Sequence, residues 1–285
     1  MNGEDGKIAV TRICARLGKS TVAFYKNRIA RKRLENREDF ILLLARRERL
    51  VNPMAGCEKV LFAIRPAMAK EGVSIGVNRF YRLMKRHGMM VPKRKKYSCV
   101  TTKQDKSLKP SPNLVKGMVI DRPDQALCSD ITYVYTEEGF LFLSLVMDMY
   151  VREIVGWAVC DTLKTEGPLE ALRMAARTVG DVADVVAHSD RGCQYASHAY
   201  RELLDALGWK SSMTEELHCY ENAMAERLNG ILKCEYFLDQ HFKTKAEARK
   251  AIEEAVWTYN HRRLHEKLGY RTPVAFRAGW RKEAA

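Results

Sequence analysis

Residues 119–240 of this 285-residue chain predict an α/β fold, a mixed five-stranded sheet flanked by helices, preceded by an all-α region of helix-turn-helix type. Three observations lead there. Three consecutive β-rich runs, "ALCSDITYVYT", "FLFLSLVMD" and "EIVGWAVC", follow a proline-containing basic stretch. Helical and strand patterns then alternate to about residue 240. Before residue 90, apolar residues recur at helical spacing on both sides of two glycine turns.

The first turn is Gly18-Lys19-Ser20 inside "VTRICARLGKSTVAFYKNRIARKR", where Ile13, Leu17, Val22 and Phe24 flank a serine able to cap the next helix. A second unit spans Glu58 to His87 around the Gly72 to Gly76 turn, with Pro66 expected to interrupt or kink its first helix. Residues 1–90 therefore read as a DNA-binding region. Its basic clusters include Arg28-Arg31-Lys32-Arg33 and Arg46-Arg47-Arg49. Residues 91–118, rich in Lys, Ser, Thr and Pro, read as a basic linker in which Lys93, Arg94, Lys95 and Lys96 can track a phosphate backbone.

In the core, the short Glu137-Glu138-Gly139 turn joins the first two strands. "KTEGPLEALRMAARTV" predicts a helix, Val182 to His188 a buried strand and "SHAYRELLDALG" a helix capped at Ser197. "WKSSM" predicts a short strand and "HCYENAMAERLNGILKCEYF" a long helix. Three strands followed by helix, strand, helix, strand, helix is the element order of a ribonuclease H-like core. Residues 241–285 add a C-terminal helical extension.

The charge balance, Lys+Arg 49 against Asp+Glu 35 for a net +14 and a pI near 9.4, points to a polyanionic partner. A membrane partner is not expected, because the longest apolar run, Phe140 to Met147, is far too short to span a bilayer. "MNGEDGK" does not resemble a signal peptide and the eight cysteines are scattered singly, so a cytoplasmic protein is expected. His261 and His265 are spaced for two metal ligands on a helix face. No cysteine pair accompanies them, and they read as polar histidines near a helix end.

Two aspartates and a glutamate carry the chemistry. Asp130 lies within the first strand, on the face of Thr132, and Asp190 just past the fourth. Neighbouring strands would bring these carboxylates to one sheet edge, where their repulsion calls for a divalent cation. Glu226 is the third acid. At about 100° per residue, Asn222, Glu226, Asn229 and Lys233 share one helix sector while Met224, Leu228 and Ile231 lie opposite. Lys233 is placed to hold a DNA phosphate and Asn222 and Asn229 to face the same cleft, while His188 and Arg191 flank Asp190 in position to meet phosphate or orient the carboxylate, a plain buried histidine being the other reading of His188. Asp148 competes for the acid role, but its place before "MYVR" suits turn capping.

"SDITYV", "HSDRGCQY" and "YENAMAERLNGILKCEY" resemble the DDE transposases of the bacterial insertion-sequence-three family, second-frame product, kin to retroviral integrases. The 35 residues between Asp190 and Glu226, and Lys233 seven beyond the glutamate, match that pattern. "GVNRFYRLMKRHGM" and "TYNHRRLHEKLGYRTPVAF" extend the resemblance toward both termini, giving Tyr259-Asn260 and His265 structural or DNA-facing roles. Glu221 stands where the family usually has aspartate, and its tryptophan near Cys128 is replaced. The resemblance implies catalytic, metal-binding Asp130, Asp190 and Glu226, and two Mg²⁺ ions, with Mn²⁺ as a substitute. It also implies cleavage at insertion-sequence ends and strand transfer to target DNA by a homo-oligomer, with an upstream-frame protein as fusion or partner. A catalytically inactive DNA-binding regulator and a ribonuclease H-like nuclease are the alternative readings.

Overall fold

The structure, a computed structural model, describes residues 10–92, 110–215 and 222–283; Lys93, Arg94, Lys95, Lys96 and Glu221 lie outside them. It divides into two compact units, one of residues up to 50 with 56–90, the other of residues 51–55 with 91 onward.

In the first unit, α1 (Val10–Arg16) and the 31-residue α2 (Thr21–Val51) meet at Gly18, whose φ of 63° suits the turn. Ser20 Oγ accepts from the Val22 amide at 3.1 Å, the cap that the sequence suggests. Helices α3 (Cys57–Lys70) and α4 (Val77–Arg86) follow, and α3 runs through Pro66 without interruption. Ile41, Leu42 and Ala45 of α2, Val60, Leu61, Ile64 and Met68 of α3, and Phe80, Leu83 and Met84 of α4 are buried. They are the apolar stripes of three amphipathic helices.

The second unit holds the sheet. Strands β1 (Ala126–Thr136), β2 (Gly139–Asp148) and β3 (Ile154–Cys160) form an antiparallel meander. Then come α5 (Glu166–Val179), β4 (Val186–Ser189), α6 (Cys193–Ala196), α7 (His198–Ala206), β5 (Lys210–Met213), α8 (Ala223–Glu235), α9 (Lys245–His261) and α10 (Pro273–Glu283). The order β3-β2-β1-β4-β5, with β4 parallel to both neighbours, is the expected mixed five-stranded sheet. Alternation along the strands sorts the core onto two faces. Ala126, Cys128, Val134, Leu143 and Leu145 pack with α8 and α9; Leu127, Val146 and Val155 pack with α5 and α7. At Gly156 of β3 an added Cβ would collide with the Ala171 carbonyl, so this glycine lets α5 lie close on the sheet.

Two boundaries differ from the sequence reading. The fourth strand starts at Val186, because Asp184 adopts φ 61° and donates its amide to the Gly208 carbonyl, taking the preceding residues out of the ladder. Within the described residues the glutamate's helix begins at Ala223. The C-terminal extension packs into the same unit as the sheet: Ala248, Ile252, Ala255, Val256 and Tyr259 join the core on the α8 face.

The extension is also fastened by charge. Arg277 of α10, 5% exposed, donates to Asp124 at 2.6 and 2.7 Å, to Asp148 at 3.0 Å and to Glu153. Asp148 itself accepts the Tyr150 and Val151 amides at 2.7 and 3.0 Å, the expected turn cap. Asn260 brackets Ile154 through its N–H and C=O, both at 2.9 Å, and Arg263 grips Glu235 with two nitrogens at 2.8 Å. Tyr259 and Asn260 are buried structural residues, and His265 sits edge-on to Tyr259. His261 closes α9 stacked on Trp257. Removing one partner from a buried ion cluster strands the others. Arg277→Met should therefore destabilise this unit by about 3–5 kcal/mol in urea unfolding; a change near zero would show that the cluster contributes little.

Candidate active site

Parallel pairing of β1 with β4 runs through Cys128 opposite His188. Asp130 and Asp190 each stand two residues beyond that last pair, where β4 ends and β1 runs on beside β2 alone. Parity puts Asp130 on the face of Ala126 and Cys128, the one covered by α8. Antiparallel register sets it opposite Leu145 of β2.

Asp130 is held from two sides. Its Oδ1 accepts from the Ile131 amide at 2.9 Å, and its Oδ2 from Asn229 Nδ2 at 2.7 Å. Asn222, 4% exposed, donates to the Ser129 carbonyl at 3.4 Å. The two asparagines, four residues before Glu226 and three after it, thus tie α8 to β1 at Ser129 and Asp130. The apolar residues of α8 turn to the core as the rotation argument expects: Leu228 and Ile231 are buried, joined by Ala225 and Leu232. Glu226 is solvent-exposed.

Asp190 begins a tight turn, with Oδ1 accepting from the Gly192 amide at 2.9 Å. A Cβ at Gly192 would lie 3.0 Å from that oxygen and 3.2 Å from Gln194 Oε1, so the glycine makes room for the carboxylate. Arg191 turns its Nε to the Thr214 carbonyl at 2.7 Å. His188 is 1% exposed, with Nδ1 2.9 Å from Ser212 Oγ, which also accepts from the Leu114 amide at 2.9 Å. Of the readings open for His188 this is the buried, hydrogen-bonded one, because β4 is flanked by β1 and β5. Lys233 Nζ rests 4.3 Å from the centroid of the Tyr133 ring.

The charges interact. Burial first, then Asp190 and Glu226, push the Asp130 carboxyl up to about 7, against the opposing pull of the Ile131 amide and Lys233. All three acids therefore act on one point. An all-carboxylate donor set suits a hard divalent cation, and a cation there would relieve the excess charge at Asp130. Among the described residues, no three His, Cys, Asp or Glu side chains lie close enough together to hold one ion. The donor chemistry fits a metal, while the side-chain positions in this structure leave the carboxylates short of a common coordination shell.

Sequence reasoning named the three acids as candidates and missed Gly192 as the space-maker beside Asp190. The Asp-Arg-Gly spacing was the available signal. Asn229 was read as a cleft residue, and its bond to Asp130 depends on tertiary placement that periodicity cannot supply.

An aspartate whose folded-state value lies above its unfolded value near 3.8 binds its proton more tightly when folded. Its stabilising contribution is full below that unfolded value and is lost as pH rises through about 7. In metal-free buffer the urea midpoint of the parent should thus fall, relative to Asp130→Asn, between pH 4 and 7. Parallel pH profiles for the two proteins would contradict the crowding at Asp130.

Comparison with known proteins adds two family matches and three individual relatives. Residues 120–219 and 207–273 match two families, each described as an integrase core domain. A 31 kDa protein of insertion element IS600 from Shigella sonnei is 34% identical over 78% of this chain and 82% of its own length. The transposase of insertion sequence element IS629, also from Shigella sonnei, is 35% identical over 73% of this chain and 69% of its own. Transposase InsF of insertion sequence IS3A from Escherichia coli is 29% identical over 72% of each.

Proposed function

We propose a function from one premise: this chain belongs to the insertion-sequence transposases that carry an integrase core domain. Its substrate is DNA and its reaction class is polynucleotidyl transfer. The reading in detail is that it binds the ends of its mobile element, hydrolyses one strand there and joins the freed 3′-OH to target DNA.

The observation that carries this reading is the common field of Asp130, Asp190 and Glu226 at the parting ends of β1 and β4. Asp130, Asp190 and Glu226 would hold divalent ions, Mg²⁺ or its substitute Mn²⁺. Two such ions, when bound, supply activation of the attacking oxygen and charge stabilisation of the leaving 3′ oxygen. The chain's own residues supply position. Asn229 fixes the rotamer of Asp130, the Gly192 amide fixes Asp190, and Lys233 lies near enough to act on Asp130 and meet a phosphate beside it. Tyr195 and Tyr200 are buried, with burial raising the first hydroxyl well above its ordinary value and the second to about 12. Neither suits a covalent tyrosine nucleophile, and strand transfer through a water or a 3′-OH needs none.

Joining two ends implies at least a homodimer on DNA, with a partner or fusion from an upstream frame, acting in the bacterial cytoplasm at the nucleoid. No helix among the described residues is long and apolar enough to cross a membrane.

With Mg²⁺ or Mn²⁺, the purified chain should join an oligonucleotide bearing its element's terminal sequence to plasmid DNA. Asp190→Asn should bind that oligonucleotide with parent affinity yet give no joined product; joining at the parent rate would end the proposal. Asn229→Ala removes an outer support of a metal-binding carboxylate, and such losses cost about 10- to 100-fold in metal affinity. Mn²⁺ titration followed by electron paramagnetic resonance should show that weakening while DNA affinity stays put. An unchanged Mn²⁺ affinity would deny Asn229 the positioning role.

A further inference from the structure

The chain's positive charge is not spread evenly. Residues 10–92 hold 19 Lys and Arg against six Asp and Glu, which accounts for +13 of the net +14. Within that region α4, "VNRFYRLMKR", carries four cations and no acid. Rotation at about 100° per residue gathers Asn78, Arg79, Arg82, Lys85 and Arg86 into a sector of about 120°. Phe80, Leu83 and Met84 occupy the opposite side and are fully buried. The helix is thus anchored by its back, and all five polar residues of its front are exposed.

This front is organised from α2. Glu38, its side chain 15% exposed, reaches Arg79 at 3.3 Å through one oxygen and Arg86 at 3.1 Å through the other. Glu38, Arg79, Arg82 and Arg86 line an open cleft of about 530 Å³. Both clasped guanidinium groups keep about half their surface in solvent, 49% and 59%, so nitrogens remain for a second acceptor. One glutamate against three arginines leaves the cleft cationic.

We propose that α4 is the sequence-reading helix of this protein and lies in the major groove of duplex DNA. Arg82, at the middle of the sector, meets base edges together with Asn78. Arg79 and Arg86, steadied by Glu38, grip the phosphates of one strand, and Lys85 meets those of the other. The dimensions agree: a helix about 10–12 Å across enters a groove about 12 Å wide. Arginine and asparagine are the side chains whose paired donors or mixed edge match guanine and adenine there. A single-stranded partner is disfavoured, since it would need aromatic rings for base stacking and this sector has none. The proposal rests on the transposase reading for its substrate and goes beyond it in assigning recognition to one helix and one clasp.

Selection from a pool of randomised duplexes, without metal and with the full chain, tests the assignment. The parent should enrich a defined motif. Arg82→Ala should lose information at one or two positions, with its preference for motif over scrambled duplex reduced about 10- to 100-fold. Lys85→Ala should keep the motif, weaken binding to all duplexes alike and lower the salt slope by about one. Glu38→Gln, by releasing both arginines, should blunt the preference while leaving affinity for scrambled duplex undiminished. Arg173→Ala on α5, an equal loss of charge in the other unit, should leave the motif intact. A motif unchanged in Arg82→Ala, or no motif for the parent, would overturn the proposal. Because binding alone is read, a parent that enriches the motif but joins no DNA would count against the transposase reading and not against α4.

Discussion

Repulsion among carboxylates brought to one place is the constraint on which the catalytic unit turns. Parallel pairing of β1 and β4 brings Asp130, midway along β1, and Asp190, just past β4, to the place where the two strands part, and α8 brings Glu226 over the same face. At Asp130, Lys233 pulls more weakly than burial and Asp190 push. The hydrogen bonds that Ile131 and Asn229 donate to Asp130 and Gly192 donates to Asp190 fix these carboxylates without removing their charge. A group kept ionisable, crowded and oriented is an arrangement that stability alone does not favour.

The same unit shows how such crowding is resolved when stability is the purpose. Asp124, Asp148 and Glu153 also converge, and there Arg277 enters from α10 with its whole fork, while backbone amides complete the shell of Asp148. Asp148 lies at the end of β2, paired with Leu127 only three residues before Asp130 on β1. Asp148 of one group and Asp130 of the other thus lie within a few residues of each other along one strand pair. The Arg277 group fastens the C-terminal helix to the strand turn, and the other is where the proposed function places its cation. On that proposal, the two groups differ in whether an arginine of the chain or a bound ion meets the carboxylates.

Most of the sheet was legible because alternation and turn residues are local. The hairpin at Glu137-Glu138-Gly139, the Ser197 cap, whose Oγ accepts from Tyr200, and the turn role of Asp148 all follow from neighbours in sequence. Asp130 and Asp190 could be placed because strand parity and strand ends are local too. What escaped was non-local. Arg277 meets Asp124 across 153 positions, and Asn229 meets Asp130 across 99. The late start of β4 depends on Asp184 taking a positive φ, which its composition allows but does not demand. Pro66 was overestimated as a breaker, because the buried stripe of α3 on either side holds the helix together.

The charge of the chain follows the same division of labour. With +13 assigned to residues 10–92, the sheet-bearing unit has no general cationic surplus with which to attract DNA from a distance. Its carboxylates would repel a phosphodiester brought near without a metal. On the proposed function, long-range attraction comes from the helical region and the basic linker after it, and the local approach of phosphate to Asp130 and Asp190 from ions held there. Separating these two tasks accords with a front of α4 that carries no acid and a proposed active site built of three. A single surface asked to do both would either neutralise its own metal ligands with lysines or lose its hold on the duplex.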